Sequence, residues 1–219
     1  MPGLASQLAC RWCNQRWSSS VQHDEARAEQ LLIEALETDA NNGWAHGTMG
    51  LLRQQQNRLA ESKIEWETAI ALNRNDAFAF RQLGITLMYL GQPDAAIPQI
   101  EKGIQLSPHD NIIFQAYFAL GMCHQLLGHL DEAIDFLRKA RAANPRIYVF
   151  HLHLAGALGV KGEIEEARAV LLEAIKLKPE INSLARWRTY RPALSNPQYR
   201  ALAEKTVDVG LRRAGFPDE

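Results

Sequence analysis

Residues 114–147 decide the fold, and they read FQAYFALGMCHQLLGHLDEAIDFLRKARAANPRI. Related segments stand at residues 77–110 and 148–181, and a weaker one stands at residues 43–76. Each segment has 34 residues, and three extra residues, 111–113, precede the third segment. Repetition at this period is typical of units that form one helix–turn–helix each and bury their apolar sides only by stacking on one another.

The segments agree at the positions where two packed helices would meet. Their eighth and twentieth residues are small, so no bulky side chain would separate the helices at their crossing. Their seventh and twenty-fourth residues are large and apolar, and the last three segments carry a Pro near the end, which stops a helix. The small residues are Gly50, Gly84, Gly121 and Ala155 at the eighth position, and Ser62, Ala96, Ala133 and Ala167 at the twentieth.

This pattern resembles the tetratricopeptide repeat. The resemblance implies an all-α fold, a superhelical solenoid of antiparallel helix pairs. The first unit matches less well, because Arg74 stands where the others have Pro. We expect four repeats over residues 43–181, namely 43–76, 77–110, 114–147 and 148–181.

Both flanks of the repeats depart from the frame. Residues 1–42 predict a degenerate N-terminal helical unit, in which Asp24–Thr38 forms a helix of the second type. Residues 182–219 predict a helical cap that seals the last unit, because a solenoid needs a more polar end. We expect a short helix at Asn182–Tyr190 and a final helix from Pro197 to Leu211.

Composition excludes several classes of function. The chain has 219 residues, with 24 Lys and Arg against 25 Asp and Glu, so its formal net charge is −1. This gives no general reason to expect nucleic acid or an anionic membrane as partner. One basic and aromatic cluster, Arg186–Arg191, is favoured as part of the cap over a nucleic-acid site.

The sequence contains no recognisable targeting signal, which favours the cytoplasm. Three cysteines fit a reducing compartment. No apolar run reaches the roughly 18 residues of a membrane-spanning helix, and residues 1–12 do not match a signal peptide. We expect a cytoplasmic protein with no membrane partner.

The family resemblance also implies a peptide-binding groove. First helices line the concave face of such a solenoid, and in the family residues two, five, nine, twelve and thirteen of each unit commonly face it. Gly47 and Leu51 hold two of these positions. We expect selectivity from Trp44, Gln54, Phe78, Arg81, Ile85, Met88, Tyr89, Phe118, Met122 and Gln125.

Two interpretations of these residues stay open. In one, the groove is open to water, and Gln54, Arg81 and Gln125 are the most exposed. In the other, the superhelix is tight and part of the set packs against neighbouring units or the C-terminal helix. Arg81 is the only cation of the set, so the Lys, Asn and Arg clamp by which some family members hold a carboxylate terminus is absent.

No motif for catalysis is apparent. Cys10 and Cys13 have the CxxC spacing, but a zinc site needs a second ligand pair and a redox site a strand–helix context. No phosphate loop, nucleophile elbow or metalloprotease helix occurs. Gly156 and Gly159 are expected to allow close helix packing. We therefore expect no catalytic residue, no metal and no cofactor, and a protein that is not an enzyme.

A closer resemblance concerns the last third of the chain. Residues 137–187 and 196–219 are similar to the C-terminal repeat region of bacterial regulators that carry a nucleotide-cyclase or winged-helix domain in front, and Gly210–Pro217 matches a frequent ending of those chains. Neither front domain is expected here. The implied function is a regulatory scaffold that binds a protein or peptide. The alternative is a self-associating module whose groove is filled by its own C-terminal helix or by another copy.

Overall fold

The computed structural model describes residues 21–190 and 196–219. Regular structure within these ranges is helical throughout, with no strand, and no helix there is both long and apolar enough to cross a bilayer. Expectations for Cys10, Cys13 and the start of the unit at residues 1–42 fall outside the described residues. The helices of the repeats and of the segment before them are α1 (Val21–Thr38), α2 (Gly43–Gln55), α3 (Leu59–Leu72), α4 (Ala77–Tyr89), α5 (Pro93–Leu106), α6 (Ile113–Leu127), α7 (Leu130–Ala143), α8 (Tyr148–Lys161) and α9 (Ile164–Leu177).

Helices α2 to α9 form four successive pairs. Helix α2 packs on α3, α4 on α5, α6 on α7 and α8 on α9, and the second helix of each pair packs on the first helix of the next. The predicted superhelical solenoid of antiparallel helix pairs is therefore confirmed. Before the first pair, Ala28 and Leu32 of α1 pack on Ala45, Met49 and Leu52 of α2.

The small residues lie where the helices of a pair cross. A Cβ built on Gly121 would lie 2.7 Å from Cγ of Leu137, and one built on Gly84 would lie 2.9 Å from the carbonyl oxygen of Ala96. Leu137 and Ile100, the large residues facing these glycines, are fully buried. A larger side chain at the eighth position would force the two backbones apart.

The first pair reaches the same packing with different residues. Trp66 fills the space that Ile100 and Leu137 fill in the next pairs, and it is fully buried. Its ring fits because α2 presents glycine to it: a Cβ built on Gly50 would lie 2.8 Å from Cε2 of Trp66, and one on Gly47 would lie 3.2 Å from Cζ3.

Left-handed residues end the first helix of each pair. The φ angles are +78° at Gly91, +79° at Gly128 and +93° at Gly162, a conformation that glycine adopts without strain. The first pair has Asn57 there, with a φ of +58°. Glycine thus ends the first helix in the last three pairs, and an Asn takes its place in the first.

The C-terminal segment is helical but interrupted. It contains α10 (Leu184–Thr189), α11 (Pro197–Ala203), a π-helical turn at Glu204–Asp208 and α12 (Val209–Arg213). The last three run on without a break, and we call residues 197–213 the cap helix. Asn196 begins it by accepting hydrogen bonds from the N–H groups of Gln198 and Tyr199.

The chain end returns to the start of α10. The carbonyl oxygens of Pro217 and Asp218 accept hydrogen bonds from the N–H groups of Leu184 and Ala185, at 2.8 and 3.0 Å. Phe216, just before them, is 2% exposed. These bonds satisfy N–H groups that a helix start leaves unpaired, and they hold the end of the chain beside the cap helix.

Candidate functional site on the concave face

The cap helix lies on the concave face, against the first helices of the later pairs. It packs along α8 and also contacts α6. Near its start, the ring of Tyr199 meets the ring of Tyr89 at the end of α4 edge to face, with centroids 5.5 Å apart. The cap helix therefore crosses the concave face from the end of α4 to the middle of α8.

Three glycines allow the closest approach. A Cβ built on Gly210 of the cap helix would lie 2.6 Å from the carbonyl carbon of Gly156, and one built on Gly159 would lie 2.9 Å from the carbonyl carbon of Gly210. The two helices thus touch backbone to backbone at this crossing. The expectation that Gly156 and Gly159 serve close helix packing agrees with this geometry, and their partner is the cap helix.

A buried ion pair joins the cap helix to α10. Asp208 is fully buried, and its Oδ2 accepts hydrogen bonds from Nε and Nη2 of Arg188 at 3.1 and 2.8 Å. The bond to Asp208 raises the pKa of the Arg188 guanidinium further above its usual range. A buried carboxylate is tolerated because this charged partner hydrogen-bonds to it.

Gln125 lies beneath the cap helix and not in an open groove. It is fully buried, its Nε2 donates to the carbonyl oxygen of His153 at 3.1 Å, and its Oε1 pairs with Nδ1 of the same histidine at 2.8 Å. A Cβ built on Gly156 would also meet Nε2 of Gln125 at 3.0 Å. The expected exposure of Gln125 is wrong, because Gln125 links α6 to α8 under the cap helix.

Arg81 is also buried, against expectation. Its side chain is 5% exposed, and Nη1 donates to Oδ2 of Asp110 at 2.7 Å. The guanidinium carbon lies 5.2 Å from the ring centroid of Phe78, and Nε and Nη2 have no partner among the described residues. Burial raises the pKa of Asp110, but hydrogen bonds from Arg81 and from the N–H of Ile112 outweigh it, so this pKa is lowered.

The ten groove residues divide by position along the solenoid. Trp44 is 53% exposed and Phe78 is 37% exposed, and both belong to the first two pairs. Gln54, Ile85 and Tyr89 are half-buried. Those that the structure buries are Arg81, Met88, Phe118, Met122 and Gln125. The second interpretation, interior packing, therefore holds for these five residues.

The groove residues that stay at least partly accessible lie mainly on α2 and α4. We call Trp44, Gly47, Leu51, Gln54, Phe78 and Ile85 the open face. The residues from α2 recur every three or four positions, so they share one side of the helix. None of the six carries a charge. The open face is an uncharged and partly aromatic surface beside the start of the cap helix.

Other reactive groups are shielded. Cys123 is fully buried, and burial raises the pKa of its thiol well above the usual range. Burial also lowers the pKa of His124. Among residues 21–190 and 196–219 no three His, Cys, Asp or Glu side chains gather as metal ligands would. Neither group lies on the open face.

The sequence analysis does not identify the roles of two residues, Trp66 and Gly210, at the concave face. Trp66 stands at the twenty-fourth position of its unit, where the sequence predicts a large apolar residue between the helices of a pair, and its ring also backs the concave face at Gly47 and meets Phe78 edge to face at 5.8 Å. The sequence places Gly210 only in a segment that resembles a family ending, and the structure shows that it contacts α8. The signal for Trp66 was available, because the pair of glycines at Gly47 and Gly50 occurs in the same unit as the only Trp at that position.

Comparisons with known proteins agree with the fold. Family models for the tetratricopeptide repeat match residues 67–146 and 127–180. The chain contains tetratricopeptide repeats. A solved structure of PilW, described as a widely conserved type IV pilus biogenesis factor, superposes with a TM-score of 0.71 at 19% identity, over 92% of this chain and 91% of that one. YrrB, described as a TPR protein with an unusual peptide-binding site, gives a TM-score of 0.57 at 16% identity, over 84% and 92% of the two chains.

Curated relatives are similar over parts of much longer chains. Protein FlbA of Caulobacter vibrioides is 24% identical over 90% of this chain and 32% of its own length. BBSome complex member BBS4 of Mus musculus is 35% identical over 36% of this chain and 15% of its own length. This chain thus spans less than a third of the length of either relative.

Proposed function

We propose that this protein is a non-enzymatic scaffold that binds a protein or peptide partner through the open face. One observation carries the proposal: Trp44 and Phe78 are 53% and 37% exposed on a face whose other half is closed by the chain's own cap helix. Clustered aromatic side chains at a surface are characteristic of interaction sites, because they bury a large area at a small entropic cost.

The lining of the open face favours protein over nucleic acid as the partner. Binding to nucleic acid depends on Lys and Arg that neutralise phosphates, and none lies on the open face. The guanidinium of Arg81, which lies 5.2 Å from the ring centroid of Phe78, is already paired with Asp110. A partner with a neutral, apolar contact surface meets these residues without burying an unpaired charge.

The cellular setting we propose is the bacterial cytoplasm. It follows from the resemblance of residues 137–187 and 196–219 to the repeat regions of bacterial regulators with a cyclase or winged-helix domain. A regulatory interaction module is the role that this resemblance supports. The peptide-binding site named in the description of YrrB supports the peptide-binding part of the proposal.

A second candidate function is self-association, giving a homo-oligomer. The same exposed pair, Trp44 and Phe78, supports it, because a second copy also offers an apolar surface of this kind. In that case the open face is the contact between copies and carries no separate partner.

Site-specific photo-crosslinking tests the proposal. A benzophenone amino acid is placed at Trp44, and in a control at Ile64, which is 60% exposed on α3. We expect an adduct with a different protein from position 44 and none with that protein from position 64. Adducts with a second copy alone would establish self-association, and the same adducts from both positions would refute a role for the open face.

A further inference from the structure

We propose that the open face binds one amphipathic α-helix of a partner protein, anchored by a single large apolar side chain over Gly47. This inference rests on the proposed function and specifies its partner. The anchor would sit beside Gly47, between Trp44 and Phe78, and an uncharged stripe of the partner helix would run along α2.

The absence of a side chain at Gly47 shapes the anchor site. Trp44 lies one turn before Gly47 on the same side of α2 and is 53% exposed. Behind Gly47 lies the fully buried ring of Trp66, and Phe78 stands against the same ring at 5.8 Å. No side chain covers the backbone at Gly47 between these two aromatic side chains, and the buried Trp66 ring supports it from behind. We infer that this gap accepts one apolar side chain of the partner.

The chemistry of the site selects an uncharged anchor. Trp44, Leu51 and Phe78 offer no group that could pair with a charge, so an ionised side chain would be buried without compensation. The guanidinium carbon of Arg81 lies 5.2 Å from the ring centroid of Phe78, and Arg81 is 5% exposed and paired with Asp110. Leu, Met, Phe or Tyr at the anchor position could be buried without desolvating a charge.

The cap helix shows what this concave face binds. It presents small and apolar residues to the repeats and keeps its charged residues outward, except for Asp208, which is buried and paired with Arg188 of α10. The buried ones recur at helical spacing and are Tyr199, Ala203, Val207, Gly210 and Leu211. The exposed ones are Arg200, Glu204, Lys205 and Arg212. The same surface type thus already holds one amphipathic helix with an aromatic residue near its start.

The open face continues where the cap helix begins. Asn196 and Pro197 lie beside Leu90 and the turn at Asn57–Leu59, and α2 with the first part of α4 extends beyond them. A partner helix on α2 would thus lie next to the cap helix on an extension of the same interface. This continuity is what points to a helix as the occupant.

Three labelled peptides of about 18 residues, long enough for five turns, test the inference against the full chain. The first is a neutral, Ala-rich helix with Leu along one side and Tyr at the anchor. The second has the same composition scrambled, so that it has no apolar side. The third keeps the apolar side but carries Glu at the anchor. Binding is followed by fluorescence anisotropy.

We expect the first peptide to bind at least about tenfold more tightly than the other two, a factor that corresponds to about 1.4 kcal/mol. Trp44→Ala should remove this preference, whereas Ile64→Ala should leave it intact. Gly47→Ala should weaken binding severalfold, because its Cβ would meet Trp66 at 3.2 Å and change the base of the site. The matched Gly43→Ala, whose Cβ would make an ordinary 3.6 Å contact with Leu72, should not.

Each contrary result has a distinct meaning. Equal binding of the scrambled peptide overturns the helix as occupant, and tighter binding of the Glu peptide overturns the uncharged anchor. If neither Trp44→Ala nor Gly47→Ala changes the affinity, the peptide binds elsewhere and the inference is overturned. If crosslinking from Trp44 still finds a partner in that case, the proposed function stands and only the helix-binding inference fails. If crosslinking fails too, both fail.

Discussion

The substitution Gly210→Ala tests the contact between the cap helix and α8. On helix propensity alone this change stabilises a protein by about 1 kcal/mol, because glycine loses more backbone entropy than alanine when a helix forms. The contact of residue 210 with Gly156 has the opposite effect and lowers the stability of the variant. The Cβ of an alanine at 210 would lie 2.6 Å from the carbonyl carbon of Gly156, where an ordinary contact begins at 3.4 Å.

The magnitude follows from this overlap. The carbonyl carbon of Gly156 would have to retreat by at least 0.8 Å, the difference between 3.4 and 2.6 Å, and its carbonyl oxygen, which lies nearer still to the added Cβ, by more. No rotamer change relieves a clash with backbone. Overpacking of this kind costs typically 1–3 kcal/mol, and we take the upper end, about 3 kcal/mol. After subtraction of the propensity gain, Gly210→Ala should lower the free energy of unfolding by about 2 kcal/mol.

The cap helix should shift on α8 without leaving it. Detachment would expose Tyr199, Val207 and Leu211, each of which is at most 1% exposed. Burying one such side chain stabilises by about 1.5–3 kcal/mol, so losing three outweighs the cost of the clash. The overlap is therefore expected to appear as a loss of global stability, accompanied by faster amide exchange in the cap helix.

Urea unfolding followed by far-ultraviolet circular dichroism measures the effect. A decrease of about 2 kcal/mol corresponds to a fall in Tm of roughly 4–8 °C for a chain of this size. Gly43→Ala is the control, since its Cβ would make only an ordinary 3.6 Å contact, and it should be neutral or stabilising. If Gly210→Ala is as stable as the wild type or more stable, propensity decides and the backbone contact at Gly156 does not exist.

Three further predictions concern buried groups. Arg188→Met should cost about 1.5–3 kcal/mol of stability at neutral pH, measured by urea unfolding, because it removes the charge-assisted hydrogen bonds that Arg188 donates to the buried Asp208 carboxylate; a loss below about 0.5 kcal/mol would contradict this pairing. Cys123 should not react with a thiol reagent until the protein unfolds, in a variant whose two N-terminal cysteines are serine, because its thiol is buried and its pKa is raised; rapid native reaction would disprove the burial. The pKa of Asp110 is lowered from 3.8, so its pairing with Arg81 stabilises the fold fully above pH 3.8 and is lost as the pH falls through the lowered value. As the pH falls from 5 to 2.5, the urea midpoint of Asp110→Asn should therefore decrease less than that of the wild type. An equal decrease in both proteins would contradict the lowered pKa of Asp110.

Local sequence predicted the repeat core well because its constraints are steric and periodic. Gly84 and Gly121 are small since Ile100 and Leu137 press against them, and this requirement recurs in each unit. A glycine with a φ of +79° at residue 128 ends its helix wherever the chain lies in space. Such features depend on neighbours within one unit, so they can be identified without the rest of the fold.

Exposure on the concave face was not predictable in the same way. Arg81 occupies a groove position, but its partner Asp110 stands 29 residues later, in the turn before the third unit. Gln125 occupies the equivalent face and is covered by a helix more than 70 residues further along. Family position correctly identified the helices that line the face, and the side chains that remain accessible depend on what packs over them.

The sequence by itself determined the helix pairs, their order and the small residues at their crossings, because a 34-residue period places those residues in contact within each unit. Only the tertiary structure decided which part of the concave face is free. Gly210 meets Gly156 across more than 50 residues of chain, and this backbone contact closes the later units while Trp44 and Phe78 stay exposed. No local pattern encodes that division, because it arises from the packing of a distant helix on a surface that several units build together.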